Sequence, residues 1–565
     1  MIKAIALLLI LTAQAQASTS WKIERQWNTN EEELFSEFIY KIGESIRKRE
    51  CRTTDECLRS QKANPLFAKN NPRGMTSIFS DCADLPYILR SYFAFMRKLP
   101  FAYPKGITFY SPELDRVRTA YYKAKREYDS YNFFSRPREV RTRYKELKKE
   151  LERLQKEAGD DLRYSRSGNK ITGMRKIQGG ENINQVFDDI VGSISTAIFR
   201  VNGSLFDSGD VFKDTYPAKI SRESLTIGSI IYDPAGHIAL VAKITDAGKI
   251  YLIDAHPDNS ITYISYGEKF SRSPLSRGAG FVKWRPYQKR GKQYVQTLNK
   301  DLPDYSLEQY QGYPERPEVS FRRAEYRFND VPMDFYHFVR ARLSLQGLSI
   351  NPLEEVSTGL DDLCRDFIDR VDAVNKAVSS GMINKSAPDN LPENIYGTHG
   401  DWETYSTPSR DARLKASVRE IYNSINEYLY PSADSSFEID YNGFDLQRDL
   451  ARIFKEKTAS CKYSFTKSNG ERYNTNLKTS LDKLFKLSFD PYQCIELRWG
   501  LTGSELESCN QDKDKWQWYE AQQALRNQVD RDYSQFMGYD ISGLRRSGLG
   551  VSQTPNYDFD SLLGL

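Results

Sequence analysis

Histidine is nearly missing from this chain, with four in 565 residues. Imidazole is therefore scarce, and no helical His-x-x-x-His or paired-cysteine spacing accompanies it, so neither a metal centre nor any other cofactor is expected. His237, Asp254, His256 and Asp258 could be taken for a ligand set, but that supporting spacing is absent. A charge excess of one sign is also missing. The 81 Lys/Arg and 76 Asp/Glu leave +5 at pH 7, too little to argue for a nucleic-acid partner. No apolar run reaches the ~18 residues that a membrane span needs.

The longest early run, Ala4 to Leu11, follows Lys3 and precedes overlapping Ala-Gln-Ala triplets at 13–15 and 15–17. That is the pattern of a cleavable signal peptide over 1–17, with the mature chain starting at Ser18 and a periplasmic or secreted destination. No cysteine follows the cleavage site, so no lipid anchor is expected. In an oxidising compartment the odd count of seven cysteines leaves one unpaired. Cys51 with Cys57 and Cys494 with Cys509 would close small loops, and Cys364 with Cys461 a long one. Cys82 is then left over, although six cysteines allow 15 pairings.

The high content of Tyr (36) and Phe (29) argues for folded domains. Residues 18–286 form one expected domain, interrupted over 111–157 by a charged stretch with 14 Lys/Arg and nine Asp/Glu. There Val117, Tyr121, Ala124, Tyr128 and then Val140, Tyr144, Leu147, Leu151, Leu154 recur at helical steps, which predicts a helical hairpin broken near Pro137. Loop is expected over 159–180, a polar linker over 287–331, a mostly helical C-terminal domain over 332–537, and a flexible Gly/Ser-rich tail over 538–565.

Two stretches carry chemistry. In Ser80-Asp81-Cys82-Ala83-Asp84-Leu85-Pro86 a cysteine precedes an amphipathic helix marked by Leu85, Leu89, Phe93 and Met96. Asp81 or Ser80 can cap the helix, and if Asp81 does, the unpaired N–H groups of the first turn favour a thiolate at Cys82; because Pro86 suits only a first turn, the regular helix can instead begin at Asp84. A lone cysteine is more often a small buried residue than a nucleophile. The second stretch changes that balance. It contains three strand-like runs, 226–232, 237–245 and 250–256, the last two joined by an Asp-Ala-Gly-Lys turn. Pairing Thr245 with Ile250 sets 239 opposite 256 and 241 opposite 254, so His237, Asp254 and His256 share one face. A thiol, an imidazole to take its proton and a carboxylate to orient the ring make a nucleophilic set.

Asp81-Cys82-Ala83 before a helix, then Gly236-His237-Ile-Ala-Leu-Val and Ile253-Asp254-Ala-His256, resembles the papain-like amidohydrolase and peptidase superfamily, in particular its CHAP and NlpC-type branches. In the CHAP pattern the acid stands seventeen residues after the histidine, as Asp254 does here, and an Asn two further on, where this chain has His256. The resemblance implies an α+β, papain-like domain with the helical insertion looped out, followed by the mostly α-helical domain. It implies Cys82 as nucleophile, His237 as base and Asp254 as orienting acid, with His256 and Asp81 as helpers. The expected function is that of an exported cysteine peptidase or amidase acting on peptide or peptidoglycan-peptide substrates. Two alternatives are a catalytically idle cell-envelope binding protein on the same fold and transglutaminase-like acyl transfer.

Overall fold

A computed structural model describes residues 19–565 except 68–73, 133, 159–160, 207–213, 273, 313–325, 432–436 and 534. The expected signal peptide and its cleavage site lie outside the described residues. Helix α1 (Thr29–Arg47) starts where the Asn28 side chain accepts the Glu31 N–H, and Phe35, Phe38, Ile39, Ile42 and Ile46 give it one buried stripe. A short helix, α2 (Thr54–Arg59), is followed by α3 (Leu85–Arg97), whose Pro86 occupies the first turn. Strands β1 (Ala102–Phe109) and β2 (Asn169–Lys176) pair as a ribbon. From that ribbon springs the charged hairpin, α4 (Pro112–Asp129) and α5 (Arg138–Ala158), which closes its own small core of Leu114, Val117, Leu151 and Leu154. The expected loop over 159–180 is corrected in part, since β2 finds in β1 a partner distant in sequence. Helix α6 (Ile183–Ser193) completes this side.

The central sheet is antiparallel, in the order β3-β8-β4-β5-β6-β7. Its strands are β3 (Thr215–Pro217), β4 (Ile230–Asp233), β5 (His237–Ile244), β6 (Ile250–Ala255), β7 (Ile261–Ser265) and β8 (Gly280–Trp284). Side chains alternate between two cores. Ile238, Leu240, Ala242 and Ile253 join the core built by α1 and α3, whereas Ala239, Val241 and Leu252 join one built with Phe335, Phe338 and Val339 of α7 (Phe335–Leu343). Helix α1 approaches the sheet closely: a Cβ on Gly43 would lie 2.8 Å from the Ala242 Cβ, so only glycine fits there.

The C-terminal lobe is helical, built around α8 (Pro352–Ser379), α9 (Gly400–Tyr405), α10 (Pro408–Leu429) and α11 (Leu446–Ser460). The molecule is thus of mixed α+β class. Two expected boundaries are corrected. Residues 287–331 are not a plain linker, because Tyr287–Arg290 and Gln293–Gln296 pair as a hairpin whose Tyr287 and Tyr294 pack against Ala102. The tail is not free either: Ile541–Ser547 and Phe559–Leu563 are helical, and Phe559 and Leu563 bury themselves in the lobe's core. Polar composition hid these few apolar anchors. Disulfides join Cys51 to Cys57, Cys364 to Cys461 and Cys494 to Cys509, as in proteins of oxidising compartments, and Cys82 is free. No helix among the described residues is long and apolar enough to cross a membrane.

The Cys364–Cys461 bridge ties α8 to the end of α11 across a sequence separation of 97. Loop-closure entropy predicts that the double variant Cys364→Ala/Cys461→Ala loses about 2–5 kcal/mol of unfolding free energy. Denaturant melts measure this, and an unchanged midpoint would show that the bridge adds no constraint.

Candidate active site

Cys82 stands on the turn just before α3, which begins at Leu85. Two carboxylates shape that turn reciprocally. Asp81 Oδ1 accepts the Ala83 and Asp84 N–H groups at 2.8 and 3.3 Å, and Asp84 Oδ1 accepts the Asp81 N–H at 2.9 Å. The Leu85 N–H bonds back to the Asp81 carbonyl, so Asp81 caps this turn as expected, while the regular helix starts later. Its strand-side anchors are the Ser80 N–H, donated to Asn259 Oδ1 in the β6–β7 turn, and the Ser80 hydroxyl, bonded to Thr54 beside the Cys51–Cys57 loop.

The other half of the site comes from β5 and β6. Gly236, at φ +81°, ends the turn that delivers His237 to the first position of β5. His237 Nε2 donates to Asp254 Oδ2 at 2.6 Å, which leaves Nδ1 without a hydrogen bond among the described residues. Asp254 is fully buried, and its second oxygen accepts from the Thr262 hydroxyl. Thr262 in turn accepts from His256 Nε2 at 3.2 Å. His256 does not bond to His237; the two rings stack with centroids 5.9 Å apart.

The register differs from the one expected. Ile244 pairs with Ile250, and after a bulge between Val241 and Lys243, Val241 pairs with Leu252 and Leu240 with Ile253. Continued from there, His237 falls opposite His256. The shift totals two residues, so His237, Asp254 and His256 keep a common face. Cys82 meets the start of β5 from outside that face, its sulfur accepting the Ile238 backbone N–H.

Burial sets the protonation states. It pushes the Cys82 thiol well above its ordinary pKa, helped by the Asp81, Asp84 and Asp254 charges and opposed by the Ile238 N–H. The expected resting thiolate is therefore corrected, since a solitary turn's donors cannot offset desolvation beside three carboxyl groups. Burial, then the Arg413 charge, also lowers the His237 pKa from its usual value, against the pull of Asp254. For Asp254 burial would raise the pKa, but His256, His237 and Arg413 together hold it well below the usual carboxylate range.

The C-terminal lobe closes over this face, which the sequence reading missed. Arg531 forms a buried ion pair with Asp233, the residue paired with His237 across β4 and β5. Arg410 binds Asp258 at 2.8 Å. Tyr164 lies over Gly236, stacked on Tyr533 at 4.7 Å, while Arg163 contacts His399 Nε2 at 2.8 Å and Glu403 at 3.6 Å. Thr262 had a local signal, a β7 strand pairing Asp254 with it; the arginines had none, because only tertiary packing brings them here. Comparison with family models, with curated proteins and with solved structures finds no match.

With only four histidines, ring titration by NMR tests the electrostatics directly. His237 and His256 should both titrate below the usual 6.5, burial being the main cause. His337 should titrate above it, because the Asp334 carboxylate bonded to its Nδ1 at 2.6 Å outweighs burial. A His237 midpoint above that of His337 would contradict this arrangement.

Proposed function

We propose that the protein is an exported cysteine hydrolase of papain-like type that cleaves peptide or amide bonds. The observation carrying this reading is the buried His237–Asp254 bond at 2.6 Å, which leaves Nδ1 without a hydrogen bond among the described residues, in a histidine whose neighbour Ile238 donates its N–H to the single free thiol. A depressed His237 pKa keeps the ring neutral, which is the state a general base requires.

In the proposed reaction the Cys82 sulfur attacks the scissile carbonyl as its proton passes to His237 Nδ1. A new S–C bond forms and the carbonyl π pair moves onto oxygen. The Cys82 backbone N–H, which has no acceptor among the described residues, is the donor available to that oxyanion. The tetrahedral adduct collapses to a thioester as the leaving amine takes the proton from His237. Water, deprotonated by the same ring, then releases the acid and restores the thiol. Asp254 fixes the tautomer and stabilises the imidazolium at each stage. His256 acts through Thr262, whose hydroxyl it holds toward Asp254. The resemblance to CHAP and NlpC-type enzymes points to cell-wall peptides as the substrate class. The high thiol pKa favours one other reading, an idle binding protein on the same fold.

Peptide and peptidoglycan-fragment hydrolysis by purified variants decides between them. Cys82→Ser should lose activity by about a thousandfold or more with an unchanged circular dichroism spectrum, because a hydroxyl is far less readily ionised than a thiol. Full activity in that variant ends the cysteine mechanism, and no turnover by the wild type on any such amide favours the binding protein. Asp254→Asn should cost roughly a hundredfold or more and His256→Asn clearly less; the reverse order would make His256 the orienting group. Activity needs neutral His237, so it should persist at pH 6.5 and fall only as pH drops through the lowered His237 pKa.

A further inference from the structure

The helical lobe places at the site one cation with no direct hydrogen-bond or ion-pair partner among the described residues; the opposite charge that acts on it, Asp254, already bonds His237 and Thr262. Arg413, on α10, is only 9% exposed, and among the described residues its guanidinium makes no hydrogen bond or ion pair. Its neighbours are all paired: Arg410 with Asp258 at 2.8 Å, Arg370 with Asp411 at 2.8 Å, Arg419 with Asp530 at 3.0 Å and Arg531 with Asp233. Buried charges are ordinarily matched, because desolvation penalises a charge that no partner compensates. A buried guanidinium with no direct partner is therefore a position open to an anion.

Arg413 also lies between two hollows. On one side it shares a small cavity with His256 and Thr262, the residues that brace Asp254. On the other it lines a cavity of about 310 Å³ whose wall carries five basic side chains against Glu268 and Asp530. That second space is at the small end of ligand sites and is suited to one amino-acid-sized group. A guanidinium presents two parallel N–H donors, the complement of a carboxylate.

We propose that Arg413 is the anion-binding group of this site and that the substrate carries a carboxylate that docks on it, close to the scissile amide. This rests on the cysteine hydrolase reading, and it narrows the substrate class to acidic peptides or peptides cut near a free carboxyl group. The helical lobe is then a specificity element that supplies the site's recognition charge, while the sheet and α3 supply its chemistry. With the anion bound, Arg413 gains a directly bonded counter-ion.

The test uses the full-length mature protein, in which Cys82 is the single free thiol. Iodoacetate and iodoacetamide alkylate the same sulfur and differ in carrying, or lacking, a carboxylate. Their rates at Cys82, mapped by mass spectrometry at mildly alkaline pH, give a ratio for wild type, Arg413→Gln and Arg413→Lys. The ratio should fall about tenfold in Arg413→Gln, the scale of one charge-assisted contact, and less in Arg413→Lys. In parallel, acetate should raise the melting temperature of the wild type above that in chloride of equal ionic strength, and should not do so for Arg413→Gln. Arg413→Gln itself should melt close to the wild type, because the guanidinium desolvation it relieves offsets the loss of its field at Asp254. An unchanged labelling ratio with an unchanged acetate effect overturns the anion site and leaves the hydrolase reading standing. A large drop in the variant's own melting temperature overturns it also, by making Arg413 a structural cation. If neither reagent labels Cys82 while the acetate effect still depends on Arg413, the anion site holds and the nucleophile assignment is lost.

Discussion

Asp254 is a charge with no access to water, and the site is arranged around keeping it ionised. An isolated buried carboxylate would protonate, because desolvation penalises the charged form by more than any one hydrogen bond returns. Here one oxygen takes the His237 Nε2–H and the other the Thr262 hydroxyl, itself braced by His256, while the Arg413 charge acts from the opposite lobe. Every one of these partners has a fixed direction. The His237 tautomer, the ring plane and the free Nδ1 follow from the need to satisfy this one group.

That dependence explains why the two lobes meet here. The sheet alone would leave Asp233, Asp254 and Asp258 clustered at the ends of neighbouring strands, a local excess of negative charge. Arg531 and Arg410 from the helical lobe neutralise the outer two. Helix α10 carries Arg410 and Arg413 one turn apart, and Asp411 between them turns the other way to bind Arg370 in the lobe's own core. One helix is therefore anchored in its lobe and charged toward the other, so loss of the lobe would change both the packing of the site and its protonation. Buried pairs of this kind are poor sources of net stability but strong determinants of arrangement, because breaking either partner strands a charge.

What was legible in the sequence was what local pattern encodes. The hairpin over 111–157, the strands at 237 and 250 and the helices at 352 and 408 all announced themselves by period, and cysteine parity singled out Cys82. The β5–β6 register did not, because a bulge at Ala242 is invisible to alternation; the expected common face survived only because the shift came to an even number of residues. The strand from Asn169 escaped for another reason. It gains its hydrogen bonds from β1, across an inserted hairpin, and a Gly- and Arg-rich segment shows no apolar alternation of its own. Arg413 and Arg531 were unreadable in principle, since an arginine on an amphipathic helix looks the same whether it faces solvent or a buried carboxylate of another lobe.

The protonation of Cys82, the proposed nucleophile, separates two ways in which a cysteine and a histidine can work together. A resting thiolate–imidazolium pair needs a thiol pKa below that of the ring, and donors or cations supply it. At this site the groups nearest Cys82 are carboxyls, and Glu403, close enough to feel Asp81, is itself pushed up to about 6 by burial and by neighbouring acids. The cations stand on the far side, around His237, where they depress the ring's basicity. Both fields push the proton toward sulfur and away from nitrogen, so the free protein rests as neutral thiol and neutral imidazole. In the proposed reaction, charge separation would then arise during the attack, as the oxyanion and the imidazolium form together beside Asp254. An anionic group bound at Arg413 would shift that balance, since cancelling the cation beside His237 raises the ring's affinity for the proton it must accept. Substrate recognition by the helical lobe and activation of the base on the sheet would then be one electrostatic event.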